Sequence, residues 1–191
     1  REIMINAPLI CYNGALIVDI YTRKRILARP IPADKLVELI RELKAWGFEA
    51  IIYEGETLKI ERLNEKTEWY VKECEGIEYS IASDLINYVK QKNLSSYKVF
   101  AVGDVSKEVT VSHGLVSKLE KDYEVSIAGK SHMEINLKGV NKGSAVEFLI
   151  DKFKLTPDQV IAVGDGYNDT AMLRFAGLGI AMGNAAEHIK G

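Results

Sequence analysis

Asp165, Asn168 and Asp169 bring two carboxylates and an amide together within five residues. They follow the apolar run Val160-Ile161-Ala162-Val163, and Gly164 and Gly166 flank the first acid. The pattern reads as a buried strand that ends in a glycine-bent acidic loop. Open α/β sheets bind ligands at that end of a strand. Clustered hard oxygen donors suit Mg²⁺, which takes one or two carboxylates and completes its shell with phosphate and water. The chemistry implied is metal-assisted phosphoryl transfer. A single Asp near a helix start usually serves as a cap. Two acids and an amide directly behind an apolar strand exceed what a cap needs.

Lys142 is the second candidate. It follows Asn141 at the start of a predicted helix, where the macrodipole disfavours a cation by about 0.3–1 kcal/mol. A lysine there makes sense if an anion sits at the same end and also uses the free N–H groups.

The elements that position these residues follow from patterning. An apolar run at 9–12 meets the turn signal Asn13-Gly14, and strands are expected over 15–18 and 25–28. Pro32 opens a helix over 34–46, with Leu36, Leu39, Ile40 and Leu43 on one face and Gly47 as its stop. Strands are expected over 48–53 and 57–63, a helix capped by Asn64 up to 74, and an edge strand over 79–81. A helix over 84–92 and a strand over 98–102 come next. Residues 106–121 are read as a helix despite the β-branched run Val109-Thr110-Val111. Strands over 124–128 and 132–137 precede a helix over 142–153 whose apolar face is Val146, Leu149, Ile150 and Phe153. From residue 140 onward helix and strand alternate, as in half of a parallel doubly wound sheet. The fold class is therefore α/β: a Rossmann-like parallel core, residues 1–19 and 135–191, with an inserted α+β domain over 20–134.

The bulk properties narrow the function classes. The 191 residues are 47% hydrophobic and 27% charged, ordinary for a globular protein, and the net charge of −2 is spread evenly along the chain. That balance offers no reason to expect a nucleic-acid or membrane partner. Cys11 and Cys74 are far apart, which fits a reduced, cytoplasmic setting better than a disulfide framework. His113, His132 and His188 lack zinc-ligand spacing. Every long apolar run is broken by charge, and no signal peptide is visible.

Taken together, Gly139-Val140-Asn141-Lys142-Gly143-Ser144-Ala145, the Gly164-to-Asp169 loop, and Gly179-Ile180-Ala181-Met182-Gly183-Asn184-Ala185 resemble the haloacid dehalogenase superfamily, and within it the Cof-type (class IIB) phosphatases. The segment 8–17, around Asn13-Gly14, resembles that family's passage from core to cap. The resemblance implies a Mg²⁺-dependent phosphatase for small phosphorylated metabolites such as sugar phosphates. It implies that Asp165 and Asp169 bind the metal, that Asn168 holds the loop and a metal-bound water or substrate oxygen, and that Lys142 neutralises the nucleophile and the transferring phosphoryl group. Asn13 is expected near the cap hinge, touching substrate.

One departure is large. The family attacks phosphorus with the first Asp of an Asp-x-Asp motif, forming an aspartyl-phosphate. No Asp-x-Asp occurs in these residues. Both ends are read as cut, because the chain starts at Arg1 and meets an apolar strand almost at once, and stops at Gly191 just after the amphipathic start 185–189. With the nucleophile missing, the chain as given is expected to be inactive, with apolar surface left open beside the strand ending at Val163. Two other readings exist: a non-catalytic ligand-binding or interaction protein on the same fold, and the phosphorylation domain of a P-type pump, which shares the Gly-Asp-Gly-x-Asn-Asp loop. The pump is disfavoured by the lack of membrane spans. The non-catalytic protein is disfavoured by the retained acids, which would repel one another without a metal.

Overall fold

The computed structural model describes residues 6–103, 109–128 and 132–190. In chain order the elements are β1 (Leu9–Cys11), β2 (Leu16–Val18), β3 (Arg25–Ala28), α1 (Ala33–Ala45), β4 (Glu49–Glu54), β5 (Thr57–Ile60), α2 (Glu65–Glu73), β6 (Tyr79–Ile81), α3 (Leu85–Lys92), β7 (Val99–Val102), α4 (Val109–Leu119), β8 (Tyr123–Ala128), β9 (His132–Leu137), α5 (Lys142–Phe153), β10 (Ile161–Gly164), α6 (Thr170–Phe175), β11 (Leu178–Ala181) and α7 (Glu187–Lys190). The helix expected over 106–121 is present as α4, and positions 106–108 lie outside the described residues.

The chain divides into two units: a split unit of residues 1–29 and 139–191, and an inserted unit of residues 30–138. Patterning places the boundaries at 19/20 and 134/135. The β2–β3 hairpin stays with the split unit because β2 pairs antiparallel with both β1 and β3. Patterning identifies strands without naming their partners.

The inserted unit is a six-stranded sheet, ordered β6-β5-β4-β7-β9-β8, in which β5–β6 is parallel and the other pairs are antiparallel. Side chains alternate across it. Ala50, Ile52, Val99, Ala101, Met133 and Ile135 share a core with α1, α3 and α4. Leu36, Leu39, Ile40 and Leu43 of α1 are buried as the 3.6-residue period requires, each contributing about 1.5–3 kcal/mol relative to exposure. On the opposite face Tyr70 of α2 stacks on Phe100 at 3.7 Å, and Phe100 on His132 at 4.7 Å. Asn64 caps α2 through the N–H groups of Lys66 and Thr67.

The split unit holds the antiparallel sheet β1-β2-β3 and the parallel pair β10–β11, with Ala162 opposite Gly179 and Gly164 opposite Ala181. The parallel part of the expected Rossmann-like core is thus two strands wide among the described residues. Helix α6 packs on β10 and β11, and α5 packs on α6. Asn141 caps α5: its Oδ1 accepts from the Ser144 N–H at 2.9 Å, and the Ser144 hydroxyl accepts from the Asn141 N–H at 3.1 Å. The expected apolar face of α5 is only partly used. Ile150 is buried with Gly143 and Ala145, whereas Phe153 is 49% exposed.

Candidate functional site

The acidic loop sits directly behind β10, where Gly164 ends the strand. A Cβ on Gly164 would lie 2.5 Å from the Cβ of Asp169, so only glycine lets the Asp169 side chain fold back over the strand end. Asp169 is the first residue before α6, yet it makes no side-chain cap to that helix. Its Oδ2 accepts instead from the N–H groups of Asp165 (3.0 Å) and Gly166 (2.9 Å). Its Oδ1 accepts from Lys142 Nζ at 2.5 Å. Asp169 is buried, at 4% exposure. Burial alone would raise its carboxyl pKa; the Lys142 ammonium and the two N–H groups outweigh that and hold it below the usual carboxylate value. The anion that accounts for a lysine at the start of α5 is therefore Asp169.

Asp165 is built differently. Its side chain is exposed, Oδ2 accepts from Asn184 Nδ2 at 2.7 Å, and Oδ1 has no protein partner among the described residues. Asn168 Nδ2 donates to Asn13 Oδ1 at 3.1 Å. Asn13 belongs to a 3₁₀ turn, Tyr12–Gly14, in which Tyr12 and Asn13 have φ of 51° and 56°. Asn tolerates that left-handed region better than most residues. Gly14, at φ 105°, is obligatory: a Cβ there would stand 2.3 Å from the Asn141 carbonyl oxygen. The turn after β1 is thereby wedged against the start of α5, and it brings Asn13 to the loop.

All five residues singled out from the sequence, Asn13, Lys142, Asp165, Asn168 and Asp169, are gathered in the split unit. The sequence reading gave Asn184 no role. The available signal was the Gly183-Asn184-Ala185 turn directly behind a strand parallel to β10.

The donor set fits Mg²⁺. Asp165 offers an open carboxylate oxygen, and Asp169 stands ready behind Lys142. No group of three or more His, Cys, Asp or Glu gathers among the described residues. A sparse, oxygen-only half-shell is the kind Mg²⁺ accepts, because it keeps several waters, whereas structural zinc needs four closed ligands.

The chain is similar to several known proteins. Over 101 residues the chain is 33% identical to 5-amino-6-(5-phospho-D-ribitylamino)uracil phosphatase YcsE of Bacillus subtilis, covering 52% of this chain and 41% of that protein. Over 197 residues it is 27% identical to pyridoxal phosphate phosphatase YbhA of Escherichia coli, covering 100% of this chain and 71% of that protein. The crystal structure of a haloacid dehalogenase-like hydrolase from Bacteroides thetaiotaomicron superposes with a TM-score of 0.77 at 26% identity, over 94% of this chain and 66% of that one. The chain thus spans less than half the length of the first of these relatives and about two thirds of the solved structure. The model of the haloacid dehalogenase-like hydrolases matches residues 1–191, and the chain belongs to that family.

Proposed function

We propose that the complete protein is a Mg²⁺-dependent phosphatase that hydrolyses small phosphorylated metabolites, sugar phosphates or similar phosphomonoesters, through an aspartyl-phosphate. The observation that carries this reading is the division of labour between the two acids. Asp169 is paired with Lys142 and bound by backbone N–H groups, whereas Asp165 has no cationic partner among the described residues and keeps an open oxygen. Asp165 and Asp169 are the metal-side carboxylates, Asp165 by direct contact and Asp169 directly or through water, with Asn168 on the same side. When bound, Mg²⁺ supplies charge stabilisation to phosphoryl oxygens.

The remaining work falls to side chains. Lys142 holds a positive charge beside Asp169 and is the catalytic cation for charge that develops on the transferring group. Asn13, Lys142 and Asn168 form the substrate side, and the Asn13–Asn168 bond sets which way the Asn168 amide faces. The nucleophilic Asp is not among these residues, so the reaction is proposed for the complete protein. The inserted unit is proposed as the cap that selects the leaving group. Two relatives whose names state their substrates act on phosphomonoesters, a pyridoxal phosphate and a ribitylaminouracil phosphate, which supports the substrate class.

The test is a panel of phosphate esters offered to the complete protein, with Mg²⁺ and after chelation. Turnover should vanish with chelator and return with added Mg²⁺. Turnover indifferent to chelation, or none on any ester, would refute the reading.

A further inference from the structure

We infer that Asn184 is a positioning residue that aims Asp165 at the cation. The inference rests on the metal-ligand reading of Asp165. Asn184 lies on the turn behind β11, and the turn is tied to the end of β10. The parallel ladder continues one step past Gly164–Ala181, with the Met182 N–H donating to the Gly164 carbonyl at 2.9 Å. The Ala185 N–H then donates to the Met182 carbonyl at 2.9 Å, and Ala185 is buried, which closes and anchors the turn. Asn184 therefore arrives beside Asp165 on a fixed backbone, and its Nδ2 meets Asp165 Oδ2 at 2.7 Å.

The chemistry of that contact is specific. An exposed aspartate samples several rotamers, and a metal ligand must be held in one. A lysine could hold it, but would set a second positive charge beside the cation. A neutral amide donor fixes one oxygen and leaves both the charge and Oδ1 available. Partners of this kind behind ligating carboxylates are worth about 10–100-fold in metal affinity. The plainer alternative is that Asn184 only shapes the turn before α7. That role would appear in stability and not in metal affinity.

The two roles separate in the complete protein. Mg²⁺ binding is measured by calorimetry without substrate, and thermal melting without metal. Asn184 is exposed, so Asn184→Ala leaves packing intact. Asn184→Leu keeps the shape of the side chain and removes the donor. Both variants are expected to bind Mg²⁺ at least about tenfold more weakly than wild type, with an unchanged melting temperature. In assays, the Mg²⁺ concentration for half-activation should rise by more than kcat at saturating Mg²⁺ falls. Wild-type Mg²⁺ affinity in either variant overturns the inference, and so does a loss of affinity that only accompanies a lower melting temperature. Absence of Mg²⁺ binding by the wild type would overturn the metal reading itself, a result distinct from unchanged affinity in the variants.

Discussion

Asp165 and Asp169 stand four residues apart, and their environments separate what each does. Asp169 is buried, with one oxygen on Lys142 and the other shared by two backbone N–H groups. Asp165 is exposed and meets one side-chain donor, Asn184. Asp165→Asn should abolish Mg²⁺-dependent turnover and leave stability within about 0.5 kcal/mol, as surface substitutions do. Asp169→Asn should also abolish turnover, and should cost about 1.5–3 kcal/mol of stability, because it removes charge-assisted bonds from a buried group. Melting curves of the two metal-free variants decide between them. Equal destabilisation would mean that Asp169 does not organise the loop. Much of this site was legible as residue types. The acids and Lys142 announce themselves by where they stand relative to a strand end and a helix start. What the amides do was not legible, because Asn13–Asn168 and Asn184–Asp165 join residues 155 and 19 positions apart. No local pattern predicts such a pairing.

Among the elements, two acid-sensitive groups lie in the inserted unit. Glu54, at the end of β4, accepts from the Tyr88 hydroxyl at 2.8 Å and from Lys92 at 3.0 Å, and pairs with Lys59 at 3.1 Å. Burial pushes its carboxyl up, but those three partners outweigh it and bring it down to about 2. A carboxyl lowered in the folded state stabilises fully above its unfolded value of 4.5, and that contribution is lost as the pH falls from there to about 2. His132 acts at higher pH. Burial lowers its pKa, with Glu134 opposing and Lys98 assisting, and its Nδ1 is buried without a partner among the described residues. Because the unfolded imidazole takes its proton first, stability should begin to fall as the pH drops through about 6.5. Urea midpoints against pH should therefore show two acid limbs. His132→Phe should flatten the upper limb and Glu54→Gln the lower; a wild-type curve level from pH 7 to 5 would refute the upper one. The elements themselves were the most legible level. Asn64 and Asn141 cap α2 and α5, and the apolar stripe of α1 is the buried one. Only Phe153 departs from the expected face of α5, and α5 meets α6 through small residues, a Cβ on Gly143 coming within 2.9 Å of the Ala171 Cβ.

At the scale of the whole molecule, one surface stands out. Parallel sheets ordinarily have both faces covered. Helix α6 covers one face of β10–β11, and the other presents Ile161 (67% exposed), Val163 (50%), Leu178 (53%) and Ile180 (42%) in register. Contiguous apolar patches of this kind promote association. The 191-residue chain should self-associate with rising concentration in sedimentation, and Val163→Lys with Ile180→Lys should suppress it. A monodisperse monomer across the concentration range would refute the expectation. No described helix is long and apolar enough to cross a membrane. The split connectivity has a last consequence, in the timing of biosynthesis. Asn13 and Asn168 are separated by 155 positions, and the inserted unit lies wholly between them. At ribosomal speeds of about 5–20 residues per second, Asn13 waits on the order of ten seconds for its partner. All the residues of the inserted unit exist by Lys138, before the acidic loop has been made. A nascent chain can thus complete that core first and shorten the span its ends must close, while the Asp165–Asn184 pair cannot form until residue 184 has left the ribosome.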